Sequence, residues 1–251
     1  MRTARLTDRL AVVLVAHGSR DPRAAASTQA LARAVRRAHP AWDVYASFLD
    51  HAGPRPLDVL ESLPGRRAVL VPLLLTEAFH GRVDVPAIVA EAASLPVDVS
   101  LAGVLGPSPS TSSPVPGSLI DGLVRRLEPV GLDAVVLAAA GTRDARARET
   151  ITWAADALSA RLSLPCVAAY ASASPPLPGA VVGRLRASGA RRVGMASYFL
   201  APGFLYDVAV RSAREAGAVV VAPPLGDAPE LVRLVASRVL AAVGSALSAA
   251  A

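Results

Sequence analysis

The sequence predicts an α/β protein built from two similar tandem halves, each a parallel sheet flanked by helices. Three observations lead to that expectation. Short apolar runs of strand length alternate with longer segments of helical spacing along the whole chain, the pattern of βα units. The stretch Ala11–Arg23 (AVVLVAHGSRDPR) returns without a gap as Ala134–Arg146 (AVVLAAAGTRDAR). Of the 251 residues, 53% are hydrophobic but only 4% aromatic, so a substantial core must be made of Ala, Val and Leu. The expected halves are residues 1–130 and 131–251, with a cleft between them as the expected ligand site.

Taken in order, the first strand covers residues 11–16 and ends at His17. Residues 22–38 place Ala, Leu and Val at helical spacing with Arg33, Arg36 and Arg37 on the polar side, and Pro40 closes that helix. Residues 43–49 read as a second strand, ended by Asp50 and His51, and a Gly/Pro turn leads into a short helix reaching Leu63. Residues 68–75 are apolar on both faces, as in a fully buried parallel strand, and Glu77 and His80 follow at its carboxyl end. A helix over 84–94, a strand over 97–105, a Pro/Ser/Gly loop over 106–118 and a helix over 119–130 complete the first half. The second half repeats the scheme with strands at 134–140, 166–171, 191–200 and 219–226 and ends in a long Ala-rich helix.

Composition narrows the function classes. The formal charge is +6 and every cation among Lys and Arg is Arg, a fit for carboxylate ligands, which guanidinium binds through a two-pronged fork. The arginines are scattered and no aromatic platform accompanies them, which argues against nucleic acid. The single cysteine, Cys166, excludes an internal disulfide and any Cys-ligated cluster, and its apolar neighbours mark a buried strand thiol. The polar N-terminus shows no signal-peptide pattern, and no apolar run reaches membrane-spanning length. A cytoplasmic protein is expected, and a monomer, since both halves are already fused.

The halves also serve as each other's control. Gly18-Ser19-Arg20-Asp21 becomes Gly141-Thr142-Arg143-Asp144, whereas His17 becomes Ala140. Counted along the chain, Asp50 falls opposite Ala173, and His80 opposite Phe204 or Leu205. Three potential ligands at carboxyl ends of strands, where open α/β sheets meet their ligands, are therefore apolar in the other half. Two imidazoles and a carboxylate suit a divalent first-row metal such as Fe²⁺ or Co²⁺. His51 and Glu77 lie near enough in sequence to take part, and His39 reads as a helix-terminus residue. No P-loop, dinucleotide fingerprint or G-x-S-x-G elbow occurs.

The segments VLVAHGSRDPRA, SFLD and VPLLLTEAFHGRVDVP resemble, in order and spacing, the CbiX/SirB-type sirohydrochlorin chelatases. The degenerate second half (GTRDARA, YFLAPGFL) is similar to that of their long, two-domain form. The resemblance implies the chelatase-like fold and ATP-independent insertion of a divalent metal, Fe²⁺ foremost, into sirohydrochlorin to give siroheme. It implies no tightly bound cofactor, with Fe²⁺ or Co²⁺ entering as substrate. By position, His17 and His80 correspond to the family's active-site histidines and would hold the metal. Asp50 stands where some members have a glutamate and serves as ligand or base. Gly18, Ser19, Arg20 and Arg82 would bind the carboxylates of the macrocycle. Ala78 replaces a glycine often found before the second histidine. Cobalt insertion for a corrinoid, and a non-catalytic tetrapyrrole- or metal-binding protein on the same scaffold, are the alternatives.

Overall fold

The computed structural model describes residues 9–76, 85–107 and 115–249, with side chains to residue 246. The first repeat contains β1 (Leu10–Ala16), α1 (Pro22–Ala38), β2 (Trp42–Phe48), α2 (Pro56–Glu61), β3 (Arg67–Pro72), α3 (Val85–Ala92), β4 (Asp98–Leu101) and α4 (Gly117–Leu127). The second contains β5 (Ala134–Ala139), α5 (Ala145–Leu162), β6 (Cys166–Tyr170), α6 (Pro178–Ala187), β7 (Val193–Tyr198), α7 (Phe204–Glu215), β8 (Val220–Val221) and α8 (Pro229–Ala249). The strands form two all-parallel sheets of order β2-β1-β3-β4 and β6-β5-β7-β8. The expected fold class is the observed one.

The strands form because their apolar residues are needed on both faces. On β1, Ala11, Val13 and Val15 join Leu70 of β3 and Val59 and Leu60 of α2 in one buried cluster. Val12 and Leu14, pointing the other way as strand alternation requires, are as fully buried. On β5, Ala134, Val136 and Ala138 pack with Val181 and Val182 of α6 and Ala209 and Ala213 of α7. Alanine recurs on the buried faces of α1, α5 and α7, so close backbone approach there compensates for the scarcity of aromatic volume. The hydroxyls of two fully buried serines are satisfied: Ser47 donates to Leu14 O at 3.0 Å and Ser197 to Ala222 O at 2.6 Å.

Several boundaries differ from the sequence reading. The strand expected at 219–226 shrinks to Val220–Val221, because Pro223 and Pro224 have no N–H for the ladder. The one expected at 97–105 stops at Leu101, just before Gly103 weakens it. The third strand ends at Pro72 rather than at 75, and one residue on Leu73 N still donates to Val15 O of β1 at 2.8 Å.

By internal contacts the chain forms two units, residues 1–105 with 232–251 and residues 106–231. Helix α4 counts with the second unit because its buried Leu119, Ile120, Leu123 and Leu127 need that sheet. A Cβ on Gly194 of β7 would come within 3.3 Å of Leu127 Cδ1, and one on Gly122 within 3.2 Å of Leu225 Cδ2. Arg125 binds the buried carboxylate of Glu230 at 2.9 Å, closing the same contact. Helix α8 leaves from there for the first unit, where Val243 and Ala246 line a cavity of about 160 Å³ with Leu10, Val69 and Ser100. Among the described residues, no helix is long and apolar enough to cross a membrane.

Leu14 is fully buried in the central strand of the first unit. Leu14→Ala is expected to lower stability by about 3 kcal/mol, read as a fall in the urea midpoint.

Candidate active site

The parallel ladder does not stop where β1 and β2 end. Leu49 N donates to Ala16 O and Asp50 N to His17 O, both at 2.9 Å. His17 and Asp50 are thereby placed side by side at neighbouring strand ends. On the other flank, the segment leaving β3 departs from beside Val15. In the order β2-β1-β3, the connections from β1 and β3 run to opposite sides. This is the switch point at which open α/β sheets leave a crevice outside the strand carboxyl ends.

The turn after His17 is dictated by one close approach. Gly18 has φ +93°, and a Cβ there would lie 1.7 Å from Asp50 O; only glycine permits both. Ser19 Oγ accepts from Asp21 N at 3.1 Å, and Asp21 caps α1 by accepting from Arg23 N at 2.9 Å. The Arg23 guanidinium, 2.6 Å from Asp21 Oδ2, helps to hold that carboxyl below its ordinary range. Pro22 supplies the preset φ of the first helical position.

The second unit rebuilds this turn atom for atom. Gly141 has φ +98° and faces Ser172 O, Thr142 Oγ1 accepts from Asp144 N at 3.1 Å, and Asp144 caps α5. Ser172 N donates to Ala140 O at 3.0 Å, as Asp50 N does to His17 O. That bond corrects the chain-counted match: Asp50 lies opposite Ser172, and His51 opposite Ala173. One residue is missing between the turn and the strand end in the second half. The acid is thus replaced by a hydroxyl, not by an apolar group. What both units keep (Gly, Ser/Thr, Asp) builds the turn; what only the first keeps is the side chains of His17, Asp50 and His51, where the second has Ala140, Ser172 and Ala173.

His17, Arg20, Asp50 and His51 are exposed, while Gly18 and Ser19 are half-buried in the turn. His51 has φ +62°; its N–H donates to Asp50 Oδ1 at 2.7 Å and its Nε2 lies 3.4 Å from Asp50 Oδ2. This pairing escaped sequence reasoning, although adjacency of an acid and an imidazole at a strand end was its signal. His80, Arg82, Glu77 and Ala78 lie outside the described residues. Among the described residues, no three His, Cys, Asp or Glu side chains converge to hold a metal ion. Burial, reinforced by Asp156, pushes the Cys166 thiol up to about 12, so without a metal it stays protonated at neutral pH. His39 ends α1 as expected and stacks on Trp42, 4.1 Å between ring centroids.

The CbiX family model matches residues 11–114 and 134–242, one match in each repeat. Comparison with curated proteins finds no match. Among solved structures, SirB from Bacillus subtilis with Fe³⁺ superposes with a TM-score of 0.73 at 23% identity, covering 92% of this chain and 94% of that one. SirB of Bacillus subtilis subspecies spizizenii in complex with cobalt gives 0.73 at 20% identity with the same coverage. CbiX, the terminal enzyme for siroheme biosynthesis in denitrifying bacteria, gives 0.63 at 19% identity over 93% of this chain and 99% of that one. At these identities the likeness is one of fold, and it spans both repeats.

Gly18→Ala is expected to lose about 3 kcal/mol of stability or more, since left-handed strain adds to a backbone collision; Gly65→Ala, where a Cβ meets nothing within 4 Å, is expected to lose less in the same denaturation experiment. Asp21 titrates below its ordinary 3.8 in the fold, so its ion pair stabilises above that pH and is lost as pH falls through the lowered value. The stability gap between wild type and Asp21→Asn should therefore close on acidification below pH 3.8 and stay open at neutral pH.

Proposed function

The chain belongs to the CbiX family, and from that premise we propose that it is a sirohydrochlorin chelatase, inserting Fe²⁺ into the macrocycle without ATP to give siroheme. The observation that supports this most directly lies within the chain. Two units share one backbone turn, yet only the first places a histidine and a carboxylate on it, joined by the Asp50 N to His17 O bond. A residue set that the fold can do without, but that one copy retains, is there for chemistry. Iron and cobalt in the two SirB structures support a first-row metal as the substrate that these side chains meet.

Insertion exchanges two pyrrole N–H protons for one divalent ion. Neutral imidazole suits the ion as a ligand, and His17 and His80 hold it. Asp50, at the adjoining strand end, accepts the protons that the pyrroles lose. The carboxylates around the rim of sirohydrochlorin are bound by Arg20 and Arg82 and by the backbone at Gly18 and Ser19, with guanidinium supplying charge-assisted bonds. Ser19 Oγ already accepts a bond from Asp21 N, which leaves its hydroxyl hydrogen to donate.

The test is anaerobic incubation of the protein with sirohydrochlorin and Fe²⁺ or Co²⁺ in parallel, following loss of the metal-free absorbance. Wild type is expected to exceed the protein-free rate, faster with Fe²⁺. His17→Ala and His80→Ala are each expected to lose at least about 100-fold with unchanged circular dichroism. Near-normal rates in both variants would overturn the assignment, and binding of the macrocycle without acceleration would make the protein a carrier.

A further inference from the structure

Two side chains occupy one place in the two units and differ in charge. The loop after β2 leaves at Asp50 and turns tightly, with Ala52 N donating to Asp50 O at 2.8 Å. It then comes back far enough for Phe48 N to donate to Pro54 O at 3.0 Å. The loop after β6 does the same: Ser174 N donates to Ser172 O at 2.7 Å and Tyr170 N to Pro176 O at 2.9 Å. The next residue precedes α2 in one unit and α6 in the other; it is Arg55 in the first and Leu177 in the second. We propose that Arg55 is a substrate-binding residue, holding a rim carboxylate of the macrocycle beside the end of the sheet that carries His17 and Asp50. The inference rests on the chelatase reading above and deepens it with a carboxylate anchor that the sequence does not single out.

Three observations support it. The first is that the backbone asks for no cation at this place. The residue before a helix is favoured when its side chain accepts a backbone N–H. Neither a guanidinium nor a leucine side chain is an acceptor, and neither α2 nor α6 has a side-chain cap. Leu177, 51% exposed, shows that the same turn stands without arginine. The second is that the cation is present only in the unit with His17 and Asp50. Arg20 recurs as Arg143, exposed like it, so comparing the units does not set Arg20 apart, whereas it does set Arg55 apart. The third is availability and reach. Arg55 is exposed, and among the described residues no carboxylate pairs with its guanidinium. Asp58, the acid in the first turn of α2, instead accepts the Arg55 backbone N–H at 2.9 Å. Through the bond between Phe48 and Pro54, chain dimensions keep the Arg55 Cα within about 15 Å of that of Asp50, no farther than a tetrapyrrole with its side chains is wide.

The chemistry of the pair fixes what the contact can do. Guanidinium gives a carboxylate two parallel N–H···O bonds and keeps its charge throughout the working pH range. The rim carboxylates are unchanged by metal insertion, so the contact is as strong in the bound substrate as in the transition state. Such uniform binding lowers KM and leaves kcat alone. Arg55 therefore favours macrocycles that carry carboxylates at the rim over those with an uncharged rim, while taking no part in the exchange of protons for metal.

The test begins with binding alone. Metal-free sirohydrochlorin is titrated into wild type, Arg55→Leu, Arg55→Lys and Arg37→Leu and followed by its absorbance; insertion rates then give kcat and KM. Arg55→Leu copies Leu177 and is expected to fold, as circular dichroism will check. Arg37, exposed at the far end of α1 from the His17 turn, controls for the loss of one positive charge. Arg55→Leu is expected to raise Kd and KM about 10-fold with kcat unchanged, and to weaken the dependence of Kd on salt. Arg55→Lys, which keeps the charge without the fork, should recover part of the loss, and Arg37→Leu should bind as wild type does. A wild-type Kd in Arg55→Leu, an equal loss in Arg37→Leu, or a fall in kcat with Kd unchanged would each overturn the anchor and leave the chelatase reading intact. Wild type that binds the macrocycle but inserts no metal would overturn the chelatase reading, while a raised Kd in Arg55→Leu would still uphold the anchor. Wild type that does not bind the macrocycle would overturn both.

Discussion

The bond from Asp50 N to His17 O, and the glycine hydrogen that lets the two strand ends come that close, is the constraint on which the site depends. A parallel ladder normally releases its strands into diverging loops. Here it is carried to His17, one residue beyond β1, and to Asp50, two beyond β2, so that backbone geometry sets two residues with chemical capacity side by side. A side chain on Gly18 would collide with the Asp50 carbonyl. The Asp21 cap and the Ser19 hydroxyl then lock the other side of the turn onto α1. Precision at the strand end therefore comes from the main chain, which places His17 and Asp50 side by side on the exposed end of the sheet.

The repeat separates scaffold from chemistry in a way that a single-copy protein cannot. Glycine, hydroxyl and capping acid recur with matching hydrogen bonds in both units and are accounted for by the turn they form. Histidine and carboxylate occur in one unit only, and the fold of the other shows that nothing in the backbone asks for them. Ser172 keeps a hydroxyl at the acid's place, donating to Ala140 O at 2.9 Å. The second unit thus satisfies with a short internal hydrogen bond the same place where the first presents a charge to solvent.

Much of this was legible in the sequence because periodicity and repetition report on burial. The eight strands, the tandem plan and the His17 turn follow from apolar runs and from thirteen aligned positions. Strand ends were less legible, because they depend on where a neighbour's backbone stops and where proline removes a donor, as at Pro223. The pairing of Asp50 with Ser172 was missed because counting along the chain cannot see one missing residue between a turn and a strand end, whereas a hydrogen bond can. The compact units were less legible for a related reason. Sequence similarity marks where a pattern restarts, but α4 goes where its leucines find a sheet.

Helix α8 gives the chain an order of completion opposite to its order of synthesis. Residues 106–231 are contiguous and hold every element of the second unit, whereas the first unit needs residues 232–249 in addition to residues 1–105. On the ribosome, the unit that emerges first must wait, with the face that α8 will cover still open, until the later unit has emerged in full. Domains generally fold in the order in which they are made; in this chain the unit that carries His17 and Asp50, begun first, is the last to close.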